Sequence, residues 1–582
     1  MLDFFIRQGQ DVRSLLLPSR PKIQKLIDAL GRRNDLLQAG ASSREMRVHA
    51  ACIVAHLASD IHLAQFRGAI RCISSLFQDE ETTSLSSNGH QRGHSHPHCT
   101  EPPPKKRDMI RRLRKVEYKD KDGAGDEKEE VEDGAGACNE LILQGLKILE
   151  NLASDQHNCR DICSTPGFVR KIMEPTIYSA TLIQDIKIID WAQVVIASFS
   201  VLNQLLVSAP GKTCRRLRRE ISTNKQAMAN LDYIIDQRNG ANEVLQMQAL
   251  EILTHLASDL SINLSSETKE NLIKKQLLIF LLADEDGQVP ISVADHYYDP
   301  LKATAAQALA LLSTSIENCA FVMRGCDDII LCYLAEKLSA SNNVMYRRNA
   351  ADILGNLCTH CSLDKEYVKE ILLPKVLTEI LSTTRESAQS EISTPENYKE
   401  NQKNYASEQD EENPRSISTQ AVNTEIREIS SSVDQYKSFD TGNEEGTATK
   451  ELQEAFLSLT LVIYDKIISA DDFDDVLQKK ALGQGAFVGK LKSIVKENCQ
   501  ATAESLRTVK LCGQIAVSMM RRNQYTAQFR DQKFVKSLSK CSAIMSYLES
   551  SMLFSGTDFG HNNTVRPLLY DIKNEALGLV NC

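Results

Sequence analysis

Glycine and proline are scarce, 26 and 15 among 582 residues, roughly 7% of the chain against roughly 12% in average usage. That scarcity excludes collagen-like chains and disfavours folds made of many tight turns, β-sandwiches among them. Long apolar runs are also missing. The nearest approach to a membrane span, Ile188 to Ala209, carries Asp190, Gln193, Asn203 and Gln204, and such groups are costly at membrane depth, so it reads as a buried helix of a soluble protein. Positive charge is not in excess: 68 Lys and Arg against 77 Asp and Glu leave a net charge of −9. A field of that sign does not attract nucleic acid, so any polyanion binding has to be local. No charged segment followed by an apolar one opens the chain at Met1-Leu-Asp-Phe-Phe-Ile-Arg7, and the 16 cysteines are scattered through apolar patterns. Together these point to a reduced, intracellular location, cytoplasmic or nuclear.

What is present is length and helical patterning. A chain of 582 residues exceeds the ~250–300 at which single compact cores stop growing, leaving several cores or one long one. Two stretches lack the apolar residues needed to offset the entropy of ordering: 79–137, rich in Ser, Gly, His, Pro, Lys and Glu, and 382–450, rich in Ser, Thr, Glu, Asn and Gln. Both read as disordered insertions. They separate three helical blocks: 1–78 with N-terminal helices and a first repeat, 138–381 with the main run of repeats, and 451–582 with C-terminal helical repeats.

The repeat is exposed by one tetrapeptide. Leu-Ala-Ser-Asp begins at Leu57, at Leu152 and at Leu256. Seven, four and three residues before each leucine stand Ala50, Ile53 and Val54; Gly145, Ile148 and Leu149; Ala249, Ile252 and Leu253. The same spacing recurs at Ala305, Ala308, Leu309 and Leu312, and at Ala350, Ile353, Leu354 and Leu357. Positions i, i+3, i+4 and i+7 form one stripe of an α-helix. A small residue at the first position lets a neighbouring backbone approach, since overpacking there costs about 1–3 kcal/mol. The last leucines of successive copies lie 45 residues apart at 312 and 357 and 56 apart at 256 and 312, near the ~40–47 of armadillo and HEAT units. The wider 152–256 interval holds a further copy at Ser198, Val201, Leu202 and Leu205. Each stripe helix is followed by a short helix, a glycine suited to a left-handed turn (Gly68, Gly167, Gly325) and a second helix.

This three-helix text, with third helices written Gly145-Leu-Lys-Ile-Leu-Glu-Asn151-Leu-Ala and Ala350-Ala-Asp-Ile-Leu-Gly-Asn356-Leu-Cys, resembles the armadillo-repeat superfamily. The matches cover about 44–77 and 138–381, with a weaker helical block that includes 505–520. The order of repeats and insertions resembles a plant branch, the brassinosteroid-enhanced group. Members of that group tend to have apolar spans before the repeats; none is present here, so membrane anchorage is not carried over by the resemblance, and membrane association is expected only of a longer form that carries a span. The expected fold is all-α, a right-handed α-solenoid of armadillo-like three-helix repeats with two long disordered insertions.

The resemblance implies that third helices line an inner groove, where an asparagine before the anchoring leucine bonds the backbone of an extended peptide. Here that place holds His56, Asn151, Gln204, His255, Leu311 and Asn356. Asparagine offers both donor and acceptor to a peptide group and histidine can offer one of each, which makes His56, Asn151, His255 and Asn356 the candidate groove residues. Leu311 interrupts the row. For Asn151 and Asn356, facing solvent or bonding a neighbouring helix is an equal reading. Lys147 and Asp352 stand where an importin-like tryptophan ladder would be, and the sole Trp191 lies elsewhere, so an importin mechanism is not expected.

Other motifs carry less. His90, His94, His96, His98 and Cys99 are metal-capable, but a structural zinc site needs elements that fold around the ion, and this tract sits in Ser, Gly and Pro. Cys358-Thr-His-Cys361 is a single C-x-x-C at a helix end, read as structural. Lys105, Lys106, Arg107, Arg111 and Arg112 belong to a basic run suited to targeting or an anionic surface; the acidic run from Asp120 to Asp133 that follows could neutralise it. Arg215 to Arg219 is a second basic cluster, read as a solvated helix face. Gly211-Lys-Thr213 lacks the earlier glycine of a phosphate loop, because residue 206 is Leu, and no hydrolase or kinase signature set occurs. The functional expectation is a scaffold or adaptor without enzymatic activity or cofactor that binds other proteins as extended segments or helices. The alternative is a membrane-proximal or nuclear adaptor working through the basic insertion, and the remote alternative is an enzyme of unrecognised type. Deletion of Ser84 to Asp133 should leave the melting temperature nearly unchanged, as scanning calorimetry would read it.

Overall fold

The computed structural model describes residue 6 and residues 11–31, 41–77, 132–177, 189–236, 239–259, 261–281, 298–325, 328–382, 441–480, 483–522, 525–555 and 567–581. The His-rich tract, the basic segment at Lys105, Lys106, Arg107, Arg111 and Arg112, and most of the two expected insertions lie outside these residues. Among the described residues there is no strand. The chain divides into two compact units, Met1–Asn263 and Leu264–Cys582.

In the first unit, α1 (Arg20–Leu30) packs on α2 (Ala41–Leu57), which is followed by α3 (Ala69–Ser74). The repeats continue as α4 (Glu132–Leu152), α5 (Gln156–Ser164), α6 (Phe168–Ile177), α7 (Ile189–Ser208), α8 (Gly211–Thr223), α9 (Lys225–Ile234) and α10 (Glu243–Ala257). The stripe helices stack in order, α2 on α4, α4 on α7 and α7 on α10. In the second unit, α11 (Ser266–Leu281) packs on α12 (Pro300–Leu312) and is followed by α13 (Ile316–Gly325), α14 (Asp328–Glu336) and α15 (Val344–His360). A turn at Lys365–Tyr367 and a π-helical stretch at Val368–Leu372 lead into α16 (Leu373–Ser382). Pro374 explains the widened turn, since its ring would clash with the carbonyl four residues back in a regular helix. The unit ends with α17 (Thr441–Lys466), α18 (Ala470–Lys479), α19 (Gln484–Glu497), α20 (Ala503–Arg521), α21 (Thr526–Asp531), α22 (Phe534–Ser555) and α23 (Leu569–Asn581). Its stack runs α12, α15, α17, α20, α23. Each unit is a layered stack of armadillo-like helical repeats.

Every stripe position named from the sequence is buried. Leu57, Leu205, Leu256 and Leu357 are fully inaccessible, and so are the small residues Ser198, Ala249, Ala305 and Ala350. Gly145 shows why smallness matters: a Cβ there would lie 3.2 Å from Leu76 Cβ and from Phe77 Cζ of the preceding repeat. Gly68 and Gly167 adopt φ of 75° and 71°, the left-handed turn expected between first and second helices. Gly325 does not follow them, being the last residue of α13. The stack also extends past the region of strong repeats. Phe456, Leu459 and Ile463 on α17 are buried, as are Cys512, Ala516 and Met519 on α20.

The repeated tetrapeptide has a division of labour. Its leucine and alanine are core: Ala58 and Ala153 are inaccessible and Ala257 is 3% exposed. Its aspartate organises the turn that follows. Asp155 Oδ1 accepts from Asn158 N at 2.9 Å as the N-cap of α5, and Asp259 Oδ1 accepts from Ser261 N at 2.8 Å. An Asn-Cys pair then ties the first helix to its surroundings. Asn158 Nδ2 donates to Ile61 O at 2.7 Å while its Oδ1 accepts from Leu63 N at 2.8 Å, and Cys159 Sγ donates to Ala153 O at 3.0 Å. Asn318 and Cys319 repeat the device on Leu312 O and Ser313 O. Burial pushes both thiols up to about 12, keeping them protonated as donors.

Leu152→Ala and Leu357→Ala should each cost about 2–5 kcal/mol in denaturant unfolding, as buried leucine truncations do. Two glycines should respond in opposite directions. Gly513→Ala places a Cβ 2.7 Å from Ile572 Cγ2 and should destabilise by about 1–3 kcal/mol. Gly355→Ala, with nothing within 4 Å, should stabilise by about 0.5–1 kcal/mol through helix propensity.

Candidate binding face of the third helices

The residue before each anchoring leucine lies off the stripe, and four of the six, His56, Asn151, Gln204 and Asn356, make contacts within the chain. His56 Nε2 lies 3.2 Å from Asp11 Oδ1, joining the end of α2 to the N-terminal segment. Asn151 Nδ2 donates to Ala55 O at 2.8 Å. Asn356 repeats this one unit later, donating to Ala310 O at 3.3 Å and Ser313 Oγ at 2.9 Å. Both acceptor carbonyls lie in the last turn of the preceding stripe helix, where no further intrahelical amide reaches them. Each asparagine therefore closes its neighbour's C-terminus and keeps its own Oδ1 as an acceptor. Gln204 Nε2 turns back to Ser208 Oγ at 3.0 Å. Leu311 is 45% exposed on α12.

His255 sits in a more charged setting. Burial, reinforced by the Arg218 guanidinium, lowers its pKa to about 4, so the ring is neutral at physiological pH. Arg218 Nη1 pairs with Asp259 Oδ2 at 2.8 Å. One turn before His255, Glu251 has its pKa raised to about 7 by burial. Its Oε2 accepts from Asn203 Nδ2 at 2.9 Å, and that same nitrogen donates to Gln248 O at 3.1 Å. Gln248 Nε2 reaches Ser200 Oγ at 2.7 Å. Ser200 and Asn203 on α7 thus meet Gln248 and Glu251 on α10 in a polar crossing inside an otherwise apolar contact. Sequence reasoning named His255 but missed this quartet; its signal is a pair of polar residues three apart on each of two apolar helices.

In the second unit a cleft opens between α15 and α17. Asp352, Gly355, Asn356 and Thr359 line one side, and Ala455, Ser458, Val462 and Lys466 the other. Gly355 leaves the helix backbone approachable, since a Cβ there would meet nothing within 4 Å. Lys466 Nζ donates to Thr359 O at 3.3 Å at one end. Asp352 stands 4.0 Å from Arg348 at the other. Arg348 also pairs with Glu451 across the two helices. The cleft therefore offers a cation, an anion and an amide oxygen over an approachable backbone. Among the described residues no cluster of three or more metal-ligating side chains occurs, and no helix is long and apolar enough to cross a membrane.

No family model and no curated protein matches the chain. Several solved structures do. An engineered protein shares 12% identity over 96% of this chain and 99% of its own, with a TM-score of 0.39. The designed armadillo repeat protein YIII(Dq)4CqI shares 11% over 58% of this chain and 99% of its own, at 0.33. SYS-1 in its complex with POP-1 shares 11% over 99% of this chain and 95% of its own, at 0.41.

The two titratable groups of α10 act in opposite directions on stability. Glu251, protonated longer in the folded state, loses stability as pH rises from about 4.5 to 7; His255, neutral longer in the folded state, loses it as pH falls from about 6.5 to 4. Relative to wild type, Glu251→Gln should gain on the order of 1–3 kcal/mol between pH 4.5 and 7. His255→Gln should gain a similar amount as pH falls through its own window. Urea unfolding at stepped pH would show both.

Proposed function

We propose that the chain is a non-enzymatic scaffold or adaptor that binds partner proteins, as extended segments or helices, along the third-helix faces of its repeats. On this reading His56, Asn151, His255 and Asn356 lie on the binding face, and the two asparagines offer Oδ1 to partner amides while Nδ2 holds the stack together. The cleft between α15 and α17 carries the proposal. It joins an approachable backbone at Gly355 to Asn356, with Asp352 and Lys466 at its ends, the combination a peptide with its own amides and charged side chains would fit. We further propose a reduced intracellular setting. Its support is the use of buried thiols such as Cys159 and Cys319 as hydrogen-bond donors, a role a disulfide would abolish. A plant lineage near the brassinosteroid-enhanced branch is proposed from the order of repeats and polar stretches in the sequence.

Gly355→Trp tests the reading, because a Cβ there meets nothing within 4 Å and the larger side chain occupies the cleft. In capture from a cell extract followed by quantitative mass spectrometry, partners recovered by the wild-type chain should be lost with this variant while its melt stays within about 1 kcal/mol of wild type. They should be retained when Lys105, Lys106, Arg107, Arg111 and Arg112 are changed to Gln. The reverse pattern would establish the basic segment as the contact and overturn the groove.

A further inference from the structure

A second surface, separate from the third-helix faces, lies on α8, the first helix of its repeat. Cys214, Leu217 and Ile221 are buried and fix the rotation of this helix. That rotation brings Lys212, Arg215, Arg216 and Arg219 to the exposed side. Their spacing is i, i+3, i+4 and i+7, one continuous stripe on an α-helix, about 10 Å long at 1.5 Å per residue. None of the four forms an ion pair with a described acidic residue, whereas Arg218 is engaged by Asp259. The only acid on α8 is Glu220.

The helix end adds to the same field. α8 has no capping side chain and no acidic residue in its first turn, and a Cβ at Gly211 would meet nothing within 4 Å. Its positive N-terminal end is therefore open beside Lys212. Four uncompensated cations in a row, on a protein whose net charge is −9, are held close together against only weak surface repulsion, at a cost that a complementary anion removes.

We propose that this stripe docks an acidic polypeptide segment with clustered Asp or Glu side chains. Three guanidinium groups match carboxylates in bidentate geometry, and a row of about 10 Å spans three to four residues of extended chain. A bilayer surface or a nucleic-acid duplex fits less well. Either is an extended polyanion that would also meet the rest of an acidic molecule, and the apolar side of α8 is occupied by the core, so it has nothing to insert between lipids.

The test is fluorescence anisotropy of a labelled octaglutamate peptide with the full chain. Binding should be saturable and should weaken as salt rises. It should weaken about tenfold or more when Lys212, Arg215, Arg216 and Arg219 are changed to Gln, the product of four exposed charge contacts. Changing Lys480, Lys496, Lys536 and Lys540, exposed residues of the second unit, to Gln should leave it within about twofold. Gly355→Trp should also leave it unchanged, so loss of groove partners and loss of octaglutamate binding are separable. Absence of binding, equal loss in the second-unit variant, or tighter stripe-dependent binding to a DNA 20-mer or to phosphatidylserine vesicles would overturn the proposal.

Discussion

The structure depends on helices that cannot hide their own apolar stripe and must press it against the equivalent helix of the next repeat. In the repeats up to α15 the first stripe position is small where helices press together, and Gly145 shows the tolerance, with Leu76 and Phe77 already within contact distance of a side chain that is not there. Once the stripes are sealed, polar backbone at the helix ends is shut away from water and needs partners. Asn151, Asn158, Cys159, Asn318, Cys319 and Asn356 answer that need. The hydrogen bonding of the stack follows from its packing.

This order of causes bears on the face proposed for binding. An asparagine whose amide nitrogen is spent on a neighbouring helix has one rotamer to offer, and its oxygen is held in place before any partner arrives. A binding group fixed in this way loses little entropy on contact. The same economy does not extend to His255, where burial and the Arg218 guanidinium favour the neutral ring, nor to His56, which is turned toward Asp11. The row is uniform in sequence position but not in chemistry.

The stripe was legible because helical periodicity and a recurring tetrapeptide reinforced each other, and burial of Leu57, Leu256 and Leu357 follows from it. The capping work of the tetrapeptide's aspartate was not legible, since it depends on where the next helix starts. The last block was faint because Phe456 fills the position that is small elsewhere, and because close approach there is served by Gly513 in mid-helix. The Ser200, Asn203, Gln248 and Glu251 crossing joins residues 45 to 48 apart, a separation no local pattern reports. Arg215 to Arg219 was visible as a cluster, but only the helix register brings Lys212 into line and sets Arg218 apart. For His56, Asn151, His255 and Asn356 the periodicity gave the helix each lies on and left open which of their atoms were already engaged.

The stripe helices are fastened by two kinds of contact, and Asn356 carries the first kind into the second unit as well. In the first, neutral amides bridge α2 to α4 and α7 to α10. In the second, charged groups cross every junction from α15 onward: Arg348 with Glu451, Glu454 with Arg507, and Arg521 with Glu575. Mobile ions compete with the second kind of fastening and hardly with the first. Added salt therefore acts on these three charged contacts, while the amide contacts, that of Asn356 on α15 included, feel it little.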